Sequence, residues 1–247
     1  MTLAITNHGN GTGGGVSPDT AAYTTSGSND IVFLAYNNEP SSAVTPVTIS
    51  SIVDSNGNTW ARRTVGTSIM TNGGGLNTYN STELWWASVP VSGSGSLTIN
   101  RSGTTDDSSW VWWAISGFTN FGLPFDNGAG APATQLQNGT GSAVPGAGIP
   151  INTLGSDVMV FSILGSPDVM DSTTIPSSMT KIDGIANHGG VNDSTTVVTV
   201  ASYAGPQTGL IFDWNGGGAL STFAIIVDAV NAAGSSIPPS AFGTVIA

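Results

Sequence analysis

Fifteen acidic side chains and two histidines are the groups in this 247-residue chain that could move protons or hold a metal. Hydrolysis of a glycosidic bond needs two carboxyl groups flanking it. The two glutamates, Glu39 and Glu83, stand in no pattern that links either to a second acid. The adjacent pair Asp106-Asp107 in SGTTDDSSW reads as a solvated turn, since neighbouring strand residues point to opposite faces. A nucleophilic triad needs a base, and both His8 (NHGNGTGGG) and His188 (NHGGVND) sit beside glycine-rich stretches, with no G-x-S-x-G elbow leading into a helix. The imidazoles form a metal site only if the fold unites them, and two separate loop residues is the plainer reading. The sequence therefore implies no catalytic residue, no resident metal and no cofactor.

Asp54, Asn56 and Asn58 alternate in DSNGNTW like the opening of a Ca²⁺ loop, but Thr59 and Val65 stand where glycine and glutamate would be required. Asn56-Gly57 between two β runs reads better as a hairpin turn, with a weak surface Ca²⁺ site as the alternative. The runs GTGGGV and NGGGL lack the lysine and following helix of a phosphate loop and read as turns. N-x-S/T triplets at Asn10, Asn80, Asn100, Asn138 and Asn192 are the by-product of loops rich in these residues.

Composition sets the frame for these groups. Charged residues make up only 8%, glycine and proline are abundant, and 39% of residues are hydrophobic, which is a strand-and-turn vocabulary able to bury a core. The four cations, Arg62, Arg63, Arg101 and Lys181, are scattered in a chain of formal charge -11, so no basic stripe for nucleic acid exists. No apolar run is long enough for a membrane helix, the start MTLAITNHGNGTGGG lacks the pattern of a signal peptide, and the absence of cysteine excludes disulfides.

An internal repeat organises the chain. NGTGGGVSPDTAAYTTSGSNDIVF (10–33) aligns without gaps with NGTGSAVPGAGIPINTLGSDVMVF (138–161), each block ending in a turn and an apolar strand. STELWWAS (81–88) aligns with STTVVTVAS (194–202) after one insertion, and SLTINRSGTTDDSSWVWWAISGF (96–118) with GLIFDWNGGGALSTFAIIVDAV (209–230). Short β-branched and aromatic runs bounded by Gly, Asn, Asp or Pro recur throughout, and helical periodicity is absent. The expected fold is all-β: two tandem antiparallel β-sandwich modules, jelly-roll-like, related by internal duplication. Module 1 covers 1–118, a linker and module 2 cover 119–230, and 231–247 is an extended C-terminal tail. Phe121, Leu123 and Phe125 at the start of the linker suggest that it packs on a module.

The tryptophans are then sorted by strand alternation. Val111, Trp113 and Ile115 share one face of SSWVWWAISGF, and Trp110, Trp112 and Ala114 share the other. In the alignment Trp113 meets Ile225 and Val111 meets Phe223, whereas Trp110 meets Thr222 and Trp112 meets Ala224, so the first face is assigned to the core. By the same logic Trp85 is core and Trp86 looks outward. Trp86, Trp110 and Trp112 would thus form an exposed aromatic face, to be covered by a subunit, a glycan or the linker. Ile237, Phe242 and Val245 in the tail are further contact candidates, docking on a neighbour if the tail orders.

VDSNGNTWARR, TELWWASVPVSGSGSLTINRSG and WVWWAISGF together resemble a module of bacteriophage virion proteins and some large bacterial surface proteins. It combines a DSxGNTY-type hairpin, a YYA-type strand, a TVTV strand and an apolar strand ending in SG. IPSSMTKID (175–183) resembles a strand of the second copy, with Ser178 where glycine would stand. The resemblance implies a structural or adhesive protein with no catalytic residues. The expectation is a capsid decoration, cement or fibre protein at the surface of the phage particle, oligomeric and bound to other virion proteins such as a capsid lattice. The alternative is an extracellular carbohydrate-binding module or adhesin that uses the outer tryptophans.

Overall fold

The computed structural model describes residues 2–27, 29–40, 46–71, 77–119, 124–138, 150–167, 173–188, 193–212, 214–216 and 222–233. Among these every regular element is a strand. The first half forms β1 (Ala4–Gly15), β2 (Asp19–Thr25), β3 (Asp30–Pro40), β4 (Ile49–Asp54), β5 (Ala61–Thr71), β6 (Asn77–Val89), β7 (Gly93–Arg101) and β8 (Thr105–Ser116). The second half forms β9 (Ala133–Asn138), β10 (Val158–Ser166), β11 (Thr173–Thr174), β12 (Thr180–His188), β13 (Asp193–Tyr203), β14 (Asn215–Gly216) and β15 (Thr222–Asn231).

The first half folds into a five-stranded sheet, β1-β8-β3-β6-β5, and a three-stranded sheet, β2-β7-β4. First pairs with eighth, second with seventh and third with sixth, all antiparallel, which is the nested pairing of a rolled hairpin and hence jelly-roll-like. The second half forms another five-stranded sheet, β12-β13-β10-β15-β9. Read from β9, its order repeats that of the first sheet, with β9, β15, β10, β13 and β12 in the places of β1, β8, β3, β6 and β5. Among the described residues its partner layer consists of the Ile151–Leu210 bridge and the two-residue pair β11-β14.

These sheets stack in layers held by three apolar clusters. Ala21, Tyr23, Ile49, Leu97 and Ile99 of the three-stranded sheet meet Leu34, Trp85, Trp110 and Trp112 of the large one. The opposite face of that large sheet packs on the second five-stranded sheet through Phe33, Leu84, Val111, Trp113, Phe161, Ile163, Val198 and Ile226. Beyond it, Phe212, Trp214, Ile151 and Met179 cover Val160, Leu164, Phe223 and Ile225. Both five-stranded sheets are therefore buried on both faces, which is why β10 and the stretch Trp110–Ile115 of β8 are near-continuous apolar runs rather than alternating.

Two turns differ from the sequence expectation. GTGGGV lies mostly within β1, where Gly9, Gly11 and Gly13 point one way with period two. A Cβ at Gly9 would come 2.8 Å from Trp112 Nε1 and one at Gly11 2.6 Å from the Trp110 ring, so the glycines clear space for flat indoles. Asp54–Trp60 is no hairpin, because β4 belongs to the three-stranded sheet and β5 to the five-stranded one. The turn carries the chain between layers, with Gly57 at φ 75°.

Candidate functional site

Trp110 and Trp112 do not form an outward aromatic face: they are 4% and 7% exposed, inside the sandwich of the first half. Trp110 stacks on Tyr36 at 5.9 Å and 6°, and Trp112 meets Tyr23 edge-on at 6.4 Å. Trp113, on the other face, lies stacked at 5.3 Å on Phe33 and edge-on at 5.3 Å to Phe161 of the facing sheet. The inversion has a register cause. Phe33 pairs with Trp113, and its counterpart Phe161 pairs with Asp228, three residues beyond the Ile225 of the sequence alignment. An odd slip exchanges the two faces of a strand. Trp85 and Trp86 keep the places expected of them: Trp85 lies in the core of the first-half sandwich, and Trp86, partly exposed, packs on the opposite face beside the cluster between the large sheets.

Of the seven tryptophans, six are buried, and Trp86 alone is partly exposed. Its ring meets Phe125 edge-on at 5.3 Å and lines a cleft of about 610 Å³ with Asn29, Asn58, Thr59, Ala61 and Ser88. Phe125 is buried as the linker reading expects, whereas Phe121 and Leu123 lie outside the described residues, as do Ile237, Phe242 and Val245.

The acidic groups are built into the fold. Asp54 accepts hydrogen bonds from Tyr23 Oη (2.8 Å), Trp60 Nε1 (2.9 Å), Asn58 Nδ2 (3.1 Å) and the Asn56 amide (2.7 Å). Its oxygens thus face donors, an arrangement that organises the turn rather than a cation. Burial, then the Asp54 contact, pushes the Tyr23 hydroxyl up to about 12. Asp19 accepts from Tyr36 Oη and from Ser108 Oγ (2.7 Å), beside Arg101 Nη1 at 3.3 Å. Asp126 accepts from the amides of Gly128, Leu154 and Gly155, fastening the linker to the second half. Asp106 and Asp107 fall inside β8 rather than in a solvated turn, and Asp107 is buried.

Glu83 is fully buried, and burial pushes its carboxyl up to about 7. Bonds from the Ile49 amide (2.6 Å) and Trp85 Nε1 (3.1 Å), with Arg62 at 3.7 Å, act against that rise. Glu39 is buried in β3 opposite Asp107 of β8.

Between the large sheets, charge and polarity are confined to defined places. Arg63 Nε donates to Asp228 at 2.7 Å, and the guanidinium lies 4.0 Å over the Phe125 ring. Arg63 is the extra residue of a bulge in β5, between Arg62 opposite Trp85 and Thr64 opposite Leu84. Towards one end of the interface a hydroxyl and amide seam replaces the aromatics. Asn37 Nδ2 donates to Ser194 Oγ (2.8 Å) and the Ser166 carbonyl (3.0 Å), Thr82 donates to Asn37 (2.9 Å), and Ser109 bonds Ser194 and Thr196.

His8 lies in β1 rather than a loop, with Nδ1 2.9 Å from Asp183 of β12, which also accepts from Asn10 Nδ2 at 2.7 Å. Burial raises the Asp183 pKa, but the bonds from His8, Asn10 and the Gly184 amide outweigh it and hold the carboxyl below its ordinary value. His188 ends β12, the strand that faces β1. Among the described residues no group of three or more His, Cys, Asp or Glu converges as a metal site would require, and no helix is long and apolar enough to cross a membrane.

Compared with protein-family models, curated proteins and solved structures, the chain matches none, so its functional reading rests on its own residues and geometry.

Proposed function

We propose that this chain is a non-enzymatic structural protein of a bacteriophage particle, a decoration, cement or fibre component held at the particle surface. In this reading its two sandwiches descend from one duplicated module, and its partners are the capsid lattice or another virion protein and further copies of itself. The observation that supports it is the fusion of both halves through the doubly covered large sheets. A core running from Phe33 and Trp113 to Phe161 and Ile226, locked by the Arg63–Asp228 pair, makes one stiff block suited to bearing load on a lattice. The engaged carboxylates of Asp19, Asp54, Asp126 and Asp228 belong to that block and are spent on its construction.

With Trp110 and Trp112 inside, attachment falls to surfaces other than the aromatic face, and the tail carrying Ile237, Phe242 and Val245 is the sequence candidate. The test is to sediment the purified chain with particles of the phage that encodes it and to identify it in purified virions by mass spectrometry. Co-sedimentation that weakens when 234–247 is deleted is the expected result. A stable monomer that is absent from virions overturns the proposal.

A further inference from the structure

We infer that the cleft around Trp86 is a binding site for a neutral oligosaccharide. This site is independent of the virion reading, since it needs no lattice and uses none of the tail residues. A solvent-reachable indole carries a cost unless something apolar covers it, and here six sister indoles have been taken into cores while this one lines a cavity. The volume of about 610 Å³ falls in the range of small-molecule sites.

The chemistry of the lining selects the ligand. A sugar ring has an apolar C–H face that packs on an indole and a rim of hydroxyls that seeks amide and hydroxyl partners. Trp86 offers the first, with Ala61 opposite it on β5 leaving the approach low, and Asn29, Asn58, Thr59 and Ser88 surround it with the second. Asn58 is held in place because both of its amide hydrogens are committed, to Tyr23 Oη at 2.8 Å and Asp54 Oδ2 at 3.1 Å. Its carbonyl oxygen is thereby presented as a fixed acceptor for a ligand hydroxyl, at little further entropic cost. A second cleft of about 320 Å³, lined by Asn56, Ser92 and Ser94, shares Asn58 and Pro90 with the first. The two clefts therefore adjoin at Asn58 and Pro90.

Charge narrows the class further. None of the described lining residues is ionisable, so nothing in the groove would neutralise a carboxylate or phosphate. The chain as a whole carries a formal charge of -11, which repels acidic glycans. A neutral sugar is the ligand that both conditions leave.

The experiment titrates the full chain with maltotriose, cellotriose, N-acetylchitotriose and a mannotriose, with sialyllactose as the acidic comparison, and follows the indole N–H resonances by two-dimensional NMR. Trp86 is assigned by the signal missing in Trp86→Phe. At least one neutral sugar should shift that resonance, and sialyllactose should bind more weakly. Ala61→Arg, placed at an exposed strand position over the indole, should weaken binding at least about tenfold while leaving the melting temperature unchanged. Trp86→Phe should retain weaker binding. Silence of the Trp86 signal towards every neutral sugar, binding unaffected by Ala61→Arg, or dimerisation that fills the groove would each overturn the inference. Co-sedimentation with particles by the Ala61→Arg variant separates this result from the virion reading.

Discussion

Arg63→Ala should unfold the protein about 6–12 °C earlier, and the structure supplies the reason. Asp228 has no exposed side-chain surface, and Arg63 is 22% exposed. Removing the arginine leaves a carboxylate in the seam between two sheets, with the Ala229 amide 2.9 Å from Oδ1 as its remaining described donor. Breaking a buried pair from one side costs about 3–5 kcal/mol, and partial exposure of Arg63 puts this case near 3. For a chain of this size each kcal/mol is worth roughly 2–4 °C, which gives the range stated. Loss of the guanidinium from the Phe125 ring adds to the effect in the same direction.

The cause is separable from mere loss of packing. Burial already raises the Asp228 pKa, although Arg63 opposes it. A carboxyl raised in the folded state binds more protons there than in the unfolded chain, so its penalty is full above the folded pKa and fades as pH falls towards the unfolded value. The deficit of Arg63→Ala should therefore shrink between pH 7 and pH 4. Adding Asp228→Asn should restore part of it, with a coupling of at least about 1.5 kcal/mol. Urea and thermal unfolding of the four proteins in the cycle measure both quantities. A shift under about 2 °C for Arg63→Ala, or strict additivity in the double variant, would refute the reasoning, since an exposed pair behaves that way.

Trp112→Ala should cost about 3–5 kcal/mol in urea unfolding, the amount for emptying a buried aromatic site. A change below about 0.5 kcal/mol would return Trp112 to the surface. Glu83, raised to about 7 from an ordinary 4.5 by burial, should cost stability that grows to about 3 kcal/mol as pH rises through that window. Below it the carboxyl is protonated in both states and the cost vanishes, so the melting temperature should fall with rising pH in this interval, and the slope should flatten in Glu83→Gln. An unchanged slope in the variant would assign the pH dependence to other groups.

How far the sequence carries depends on what each strand touches. Short β-branched and aromatic runs bounded by turn residues, such as DIVFLAY and TELWWASV, were readable as β3 and β6, because strand propensity and turn chemistry are local properties. β1 was not, since Gly9, Gly11 and Gly13 look like turn residues until the Trp112 and Trp110 indoles and the Asp19 carboxylate that occupy their missing side chains are known. Asp54 read as part of a hairpin because turn chemistry is local, whereas membership of two different sheets is not. Trp86 was picked out as a contact residue for a reason that failed for Trp110 and Trp112. Its partial exposure comes from its place beside a cleft, not from a polar strand face.

The sequence by itself determined the all-β class and the positions of most strands and turns, because propensity and alternation act over a few residues. It also fixed the scarcity of charge that makes each buried carboxylate depend on a specific donor. Only the tertiary structure decided which face of each central strand meets which layer. A strand covered on both sides has no polar face to mark the outside, so a slip of three residues in an alignment exchanges the faces unseen. Hydrogen-bond register, as in Phe33 with Trp113 and Phe161 with Asp228, resolves what alternation alone leaves degenerate.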